Sequence, residues 1–260
     1  MKLEDLKDIN LFIMDLDGTI YLGDKIIEGS LEFIEKLKKE NKKFCFFTNN
    51  DSKASTEFMK KLYNMNIDFT NENFYTAGLA TIDYINDKFK GKSVYLLGTE
   101  SLKNEFRAHN INLVEENPDI VVVAYDTELT YQKLDRVCHY IRNGAYYIAT
   151  HPDYNCPTQY GYAPDTGSYI ALIKQSTNRI PDLLNGKPNK ALGEIICKRF
   201  NENPKNVAMI GDRLMTDMKL AINCGFKSIL VLSGESTKDD LNNSGLNIDL
   251  VVDSIKDLTR

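Results

Sequence analysis

The chain is expected to be an α/β protein built on a parallel sheet, and three observations predict it. Apolar runs recur without polar alternation, as in Leu11-Phe12-Ile13-Met14, Phe44-Cys45-Phe46-Phe47 and Val207-Ala208-Met209-Ile210. Such runs fit strands buried on both faces. Amphipathic stretches of helical period separate them, giving a strand, helix, strand rhythm. The polar residues that close the runs, Asp15, Thr48 and Asp212, then fall at the carboxyl ends of strands, the edge where open α/β sheets bind ligands.

The 260 residues suit one large or two modest domains. A hydrophobic share of 42% with 27% charged residues is that of a soluble globular chain. The net charge of −5 favours solubility and argues against a nucleic-acid partner. Met1 to Asp8 alternates charges and lacks the apolar centre of a secretory signal, and no apolar run approaches a bilayer span, so a cytoplasmic protein without membrane contact is expected. The five cysteines (Cys45, Cys138, Cys156, Cys197, Cys224) are scattered and form no Cys-x-x-Cys pair, which points to reduced thiols rather than zinc or a disulfide framework. His109, His139 and His151 form no helix-spaced ligand pair.

Leu11 to Met14 is the first strand, and Asp15-Leu16-Asp17-Gly18-Thr19 follows it. Residues two apart in extended chain point the same way, so Asp15 and Asp17 crowd their charges unless a cation or a shared proton relieves them. Asp-Gly is also a turn signal, so a plain turn is the competing reading. Residues 28–41 carry Leu31, Ile34 and Leu37 on one stripe of a helix. Phe44 to Phe47 is the second strand, closed by Thr48-Asn49-Asn50, and 52–65 is a helix with Phe58, Leu62 and Met65 on its buried side. From about Thr81 a fresh cycle begins: helices over 82–88, 102–109 and 131–143 alternate with strands over 93–97, 120–124 and 146–150. This reads as an inserted second α/β unit. Residues 151–167 are rich in proline and glycine, a long irregular segment of the kind that often carries function, and an apolar helix over 168–175 follows. The first pattern then resumes with a helix over 190–200, the strand 207–210 ending in Gly211-Asp212, a helix over 217–224, and short strands at 229–232 and 250–252.

Four separated pieces carry complementary chemistry: Asp15-Leu16-Asp17-Gly18-Thr19, Thr48-Asn49-Asn50, Gly186-Lys187-Pro188-Asn189, and Gly211-Asp212-Arg213-Leu214-Met215-Thr216-Asp217. Together they describe a phosphoryl-transfer site. Magnesium prefers oxygen ligands and keeps waters, so Asp15 and Asp212 suit it alongside a phosphate oxygen and a backbone carbonyl. A threonine hydroxyl and backbone amides hold phosphate oxygens, and a lysine supplies the compensating point charge. Singly, each piece has a structural reading: a helix-entry turn at Thr48-Asn49-Asn50, a solvated loop lysine at Lys187, a strand-end turn at Gly211-Asp212, and a helix start at Asp217. Their joint occurrence, each after a strand or before a helix, favours the site.

These pieces resemble, in order, the four motifs of the haloacid dehalogenase superfamily of phosphohydrolases. The large insertion between the Thr48 and Lys187 pieces resembles a C2-type cap, as in the NagD-like or p-nitrophenylphosphatase-like branch (subclass IIA). Ala149-Thr150-His151-Pro152-Asp153 and Pro164-Asp165-Thr166-Gly167-Ser168 look like signatures of that branch. Two positions depart from it: His151 stands where asparagine is frequent, which bears on substrate preference, and Met215 where aspartate is frequent. The resemblance implies a Rossmann-like three-layer core over 1–79 and 181–260 and a cap over 80–180. It implies that Asp15 is the nucleophile forming an aspartyl-phosphate, and that Asp17 is general acid and then general base. Thr48, the Asn49 amide and Lys187 would hold the phosphoryl group. Asp15, Asp212 and the Asp17 carbonyl would bind Mg²⁺, with Asp217 orienting metal waters or Lys187.

In the cap, which would exclude water and read the leaving group, His151, Asp153, Pro164, Asp165, Thr166, Gly167, Ser168 and Tyr160 or Tyr162 are the expected substrate-facing residues. Asp17 argues against dehalogenation, because a halide leaving group needs no proton donor. The expected activity is Mg²⁺-dependent hydrolysis of a small phosphorylated metabolite: a nucleotide, a sugar or polyol phosphate, or pyridoxal phosphate. A phosphotransferase or mutase using the same aspartyl-phosphate is the alternative, and a phosphate-binding module without turnover is the reading from another class. The resemblance also allows a cap-mediated homodimer, although no self-complementary patch is legible.

Overall fold

The computed structural model describes residues 3–158 and 161–259. After a 3₁₀ turn, β1 (Leu11–Met14) leads to β2 (Tyr21–Leu22), β3 (Lys25–Ile26), α1 (Ser30–Lys39), β4 (Lys43–Thr48), α2 (Ser55–Asn64) and β5 (Phe74–Thr76). Next come α3 (Ala77–Lys88), β6 (Ser93–Leu97), α4 (Glu100–Ala108), β7 (Asn112–Leu113), β8 (Ile120–Val123), α5 (Tyr131–Arg142), β9 (Tyr146–Ala149), β10 (Asn155–Thr158), β11 (Gly161–Pro164), α6 (Thr166–Thr177) and β12 (Leu183–Leu184). Then follow α7 (Lys190–Phe200), β13 (Val207–Gly211), a π-helical turn (Leu214–Met218), α8 (Lys219–Cys224), β14 (Lys227–Val231), α9 (Lys238–Ser244) and β15 (Leu250–Val252). Side-chain caps set many helix starts: Thr76, Thr99, Thr130 and Asn189 each accept from a backbone N–H of the first turn.

The chain divides into two compact units. The first comprises the described residues of Met1–Thr48, Met59–Tyr75 and Lys187–Arg260. Its sheet has the order β15-β14-β13-β1-β4-β5, with β1 parallel to both β13 and β4. The chain steps outward from β1 through β4 on one side and from β13 on the other, so the strand order reverses between β1 and β13. Such a switch point opens a crevice at the carboxyl ends of the strands. In register, Met14 lies beside Ile210 and Phe46, so Asp15, Asp212 and Thr48 leave neighbouring strands at one edge.

The second unit comprises Asn49–Phe58 and Thr76–Gly186. Its parallel sheet has the order β12-β9-β8-β6-β7. Side chains alternate across it: Val121 and Val123 pack with Val137, Ile141 and Ile173 of α5 and α6, while Ile120 and Val122 pack with Ile82 and Phe106 of α3 and α4. Burial on both faces is why these strands read as unbroken apolar runs. Residues 49–58 belong here because the Ser55 amide and hydroxyl donate to Glu105, the Ala54 amide donates to Ser101 Oγ at 2.9 Å, and Thr99 donates to the Ser52 carbonyl.

Three local expectations change. Residues 151–167 are not wholly irregular: β10 and β11 form an antiparallel hairpin with Cys156 opposite Ala163. Its exposed strands, with Pro157 and Pro164, carry no apolar alternation to announce it. Helix α6 begins at Thr166 rather than Ser168, because Asp165 caps it. The segment after Gly211 opens with a π-helical turn at Leu214 rather than a helix at Asp217, because the Asp217 carboxylate folds back to accept from the Arg213 amide at 3.1 Å.

Candidate active site

Asp15 is the residue after β1, and its amide donates to the Ile210 carbonyl of the neighbouring strand. The chain then turns on the Leu16 carbonyl, which accepts from the amides of Ile20 and Tyr21. Gly18 sits at φ +84°, in the left-handed region, and a Cβ there would collide with the Asp212 carboxylate and come within 3.0 Å of the Gly234 backbone. We expect Gly18→Ala to cost about 1–2 kcal/mol from backbone strain alone, with further loss as Asp212 is displaced. Thermal unfolding and divalent-cation titration of the variant check this; an unchanged melting temperature and cation affinity would contradict it.

Lys187 is the centre of the site's charge. It is 2% exposed, and its ammonium pairs with Asp15 and, at 2.7 Å, with Asp217 Oδ1. It also reaches the Phe47 carbonyl at 3.4 Å. Burial alone would lower its pKa, but Asp15 and Asp217 more than reverse this, so it stays charged. Asp212 follows β13; its Oδ2 accepts from the Glu235 amide at 2.7 Å, while its Oδ1 is buried without a hydrogen-bond partner among the described residues. Carboxylate oxygens of Asp15, Asp212 and Asp217 lie within 4.8 Å of one another. Burial, Lys187 notwithstanding, holds the Asp15 carboxyl up to about 6, and burial with the charge of Asp15 raises Asp212 to about 8. A hard divalent cation fits this set: it meets oxygen donors alone, satisfies the orphaned Oδ1, and replaces the protons that the crowded carboxylates otherwise retain.

Asp17 stands apart from that group. It is exposed; its residual burial raises its carboxyl pKa against the opposing charges of Lys61 and Arg213, and it accepts a backbone hydrogen bond from Gly23. A carboxyl held above its ordinary value can both give and take a proton near neutral pH. Thr48 is buried at the end of β4.

Sequence reasoning did not single out the turn after β14. There the Glu235 amide holds Asp212, Ser233 Oγ donates to the Gly18 carbonyl at 2.7 Å, and Gly234 leaves room for the Asp212 carboxylate. A serine and glycine directly after a buried apolar strand were the available signal.

The remaining candidates lie in the second unit. Asn49 Nδ2 donates to Asp153 Oδ1 at 3.1 Å. The segment 165–168 closes the base of the hairpin: Asp165 accepts from the Thr166 amide, the Gly167 amide donates to the Asp153 carbonyl at 2.7 Å, and Ser168 Oγ donates to the Tyr154 carbonyl at 2.7 Å. Pro164 is exposed at the end of β11, Tyr162 is exposed on the same strand, and His151 is fully buried. Tyr160 falls outside the described residues.

Residues 12–112 match the family described as haloacid dehalogenase-like hydrolase, and residues 184–258 match a second one described as HAD-hydrolase-like. An acid sugar phosphatase of Staphylococcus haemolyticus is 34% identical over 237 residues, covering 91% of this chain and 90% of that protein. Among solved structures, a 4-nitrophenylphosphatase from Thermotoga maritima superposes with a TM-score of 0.96 at 44% identity, covering 100% of this chain and 98% of that one. NagD from Escherichia coli K-12 superposes with a TM-score of 0.88 at 25% identity, covering 95% and 97%.

Proposed function

Because the chain belongs to the haloacid dehalogenase-like hydrolase family, in its NagD-like and p-nitrophenylphosphatase-like branch (subclass IIA), and is a phosphatase, we propose that it hydrolyses phosphomonoesters of small metabolites with Mg²⁺ through a phosphoryl group carried on Asp15. The observation that carries this reading is the Asp15 carboxylate paired to buried Lys187 beside Asp212, whose Oδ1 is buried and has no hydrogen-bond partner among the described residues. The likeness to acid sugar phosphatases favours sugar phosphates as the first substrate class to try, ahead of nucleotides, polyol phosphates and pyridoxal phosphate.

Asp15 attacks phosphorus; the bond to the ester oxygen breaks as Asp17 gives that oxygen its proton. Asp17 then takes a proton from water, which attacks the phosphoryl group, releasing phosphate and restoring Asp15. Lys187 holds the nucleophile in place through its pairing with Asp217 and balances charge on the transferred group, which the Thr48 hydroxyl and the Asn49 amide also bind. When held by Asp15, the Asp17 carbonyl and Asp212, Mg²⁺ supplies further neutralisation of the phosphoryl oxygens.

Turnover of p-nitrophenyl phosphate and of a sugar-phosphate panel, with and without Mg²⁺, tests the proposal. Activity that survives chelation, or that is equal in Asp212→Asn, would overturn the metal role. The nucleophile must be ionised, and its carboxyl is held up to about 6. The rate is therefore expected to fall roughly tenfold per pH unit below that value, with the acid limb moving to lower pH as Mg²⁺ is raised. A kcat/KM profile that stays flat well below pH 6 at low Mg²⁺ would contradict this. Among the described residues no helix is long and apolar enough to cross a membrane.

A further inference from the structure

The second unit gathers another set of ionisable side chains that the phosphatase chemistry does not use. His151 follows β9, Asp51 lies in the segment 49–58, and Asp153 and Asp165 stand at the two feet of the β10–β11 hairpin. His151 Nε2 lies 3.5 Å from Asp51 Oδ1, 3.6 Å from Asp165 Oδ1 and 3.1 Å from Thr166 Oγ1, and Nδ1 lies 3.9 Å from Asp153 Oδ2. His151 and Asp51 are fully buried, and Asp165 is 3% exposed.

Three carboxyl groups surround this one buried imidazole. Buried charge is costly unless a counter-charge completes it. Two atoms in the cluster wait for a partner: His151 Nδ1 and Asp51 Oδ2 are buried and without a hydrogen bond among the described residues. The carboxylates are oriented from outside, Asp51 by the Tyr125 amide at 3.0 Å, Asp165 by the Thr166 amide at 2.6 Å, and Asp153 by Asn49 Nδ2 at 3.1 Å. Such outer hydrogen bonds are what aim metal ligands.

We propose that His151, Asp153 and Asp165, with Asp51 beside them, form a second metal centre in this protein, one that takes a divalent transition cation of the Zn²⁺ class. Donor atoms of the first three lie within 4.8 Å of one another. One imidazole with carboxylates is a mixed nitrogen and oxygen set that suits Zn²⁺ and its neighbours, whereas Mg²⁺ prefers oxygen alone and keeps its waters. The role is structural. The ion would join both feet of the hairpin to the end of β9 and to the segment 49–58.

The test is metal retention rather than turnover, so it stands or falls apart from the phosphatase reading. Chelator-stripped full-length protein is saturated with Mg²⁺ and titrated with Co²⁺, a visible stand-in for Zn²⁺. The proposal expects a single Co²⁺ per chain with d–d absorption in the unmodified protein and in Asp212→Asn, which lacks a ligand of the Asp15 centre. Zn²⁺ should raise the melting temperature of both. In His151→Asn and Asp165→Asn the absorption should vanish, the affinity should drop by at least about tenfold, and the Zn²⁺-induced rise in melting temperature should disappear. Equal Co²⁺ binding in His151→Asn, or none in Asp212→Asn, would overturn the assignment. Circular dichroism confirms that each variant is folded; if His151→Asn is not, Asp153→Asn, at a less buried position, decides by the same readouts.

Discussion

Asp15→Asn is expected to lose turnover by about 10⁴-fold or more while unfolding within a few degrees of the unmodified protein. The two halves of this expectation have separate causes. An amide of nearly the same shape cannot attack phosphorus, so the rate falls without any change of geometry. Stability is preserved because Lys187 retains Asp217 at 2.7 Å, the Asn oxygen still accepts from the ammonium, and the amide at Asp15 continues to donate to Ile210. The variant also removes one of the carboxylates that crowd Asp212, whose pKa is raised by burial and by Asp15. Steady-state rates with freshly purified protein, checked by mass for deamidation back to aspartate, together with calorimetry, measure both. Substantial activity in undeamidated protein would remove Asp15 from the nucleophile's role, and collapse of the fold would show that its charge is structural.

Lys187→Met should be damaging in a different way. Methionine fills the volume of the side chain but leaves Asp15, Asp217 and Asp212 together without their cation. Removing one partner of a buried ion pair typically costs about 3–5 kcal/mol, which for a chain of this size is a drop of roughly 10 °C in melting temperature.

The pH dependence has a definite sign. The folded Asp15 and Asp212 carboxyls titrate at about 6 and about 8, above their ordinary value of 3.8, so their contribution to stability is present below that ordinary value and is lost as pH rises through the folded ones. Without Lys187 the Asp15 pKa rises further, so the deficit should widen toward alkaline pH, shrink toward pH 5, and be partly repaired by Mg²⁺. Melting curves across pH with and without Mg²⁺ read this directly. A melting temperature equal to that of the unmodified protein at pH 8 would show that protons, not Lys187, balance the cluster. The rate should also fall, by about 10²–10³-fold, as for the loss of one preorganised charge on the transferring group.

Much of this site was legible in the chain itself because its parts carry strong local signatures. Asp15, Thr48 and Asp212 each close an apolar run, and a run buried on both faces has a readable end. Lys187 was legible only by its company: beside glycine and proline it has the look of a solvated loop residue, yet it is 2% exposed. Nothing local states that an ammonium is buried, since burial depends on what packs around it. The Glu235 amide that holds Asp212 is a backbone group, and backbone donors have no sequence signature. The hairpin after Asp153 went unread for the opposite reason, because exposed strands with prolines lack the alternation that marks a strand.

His151 shows the limit most plainly. In the sequence it was expected to face substrate in the cap, and in the fold it is fully buried with Asp51, Asp153 and Asp165 around it. By itself the sequence determined the α/β class, the strand ends and the residue types that stand at them, because hydrophobic period and local spacing encode them. Tertiary structure alone decided which charges share a buried space, and with them every shifted pKa and both candidate cation sites. Residues 172 positions apart, such as Asp15 and Lys187, meet only when strand order and register bring them together, and the low dielectric that makes their meeting matter exists only once the chain has folded.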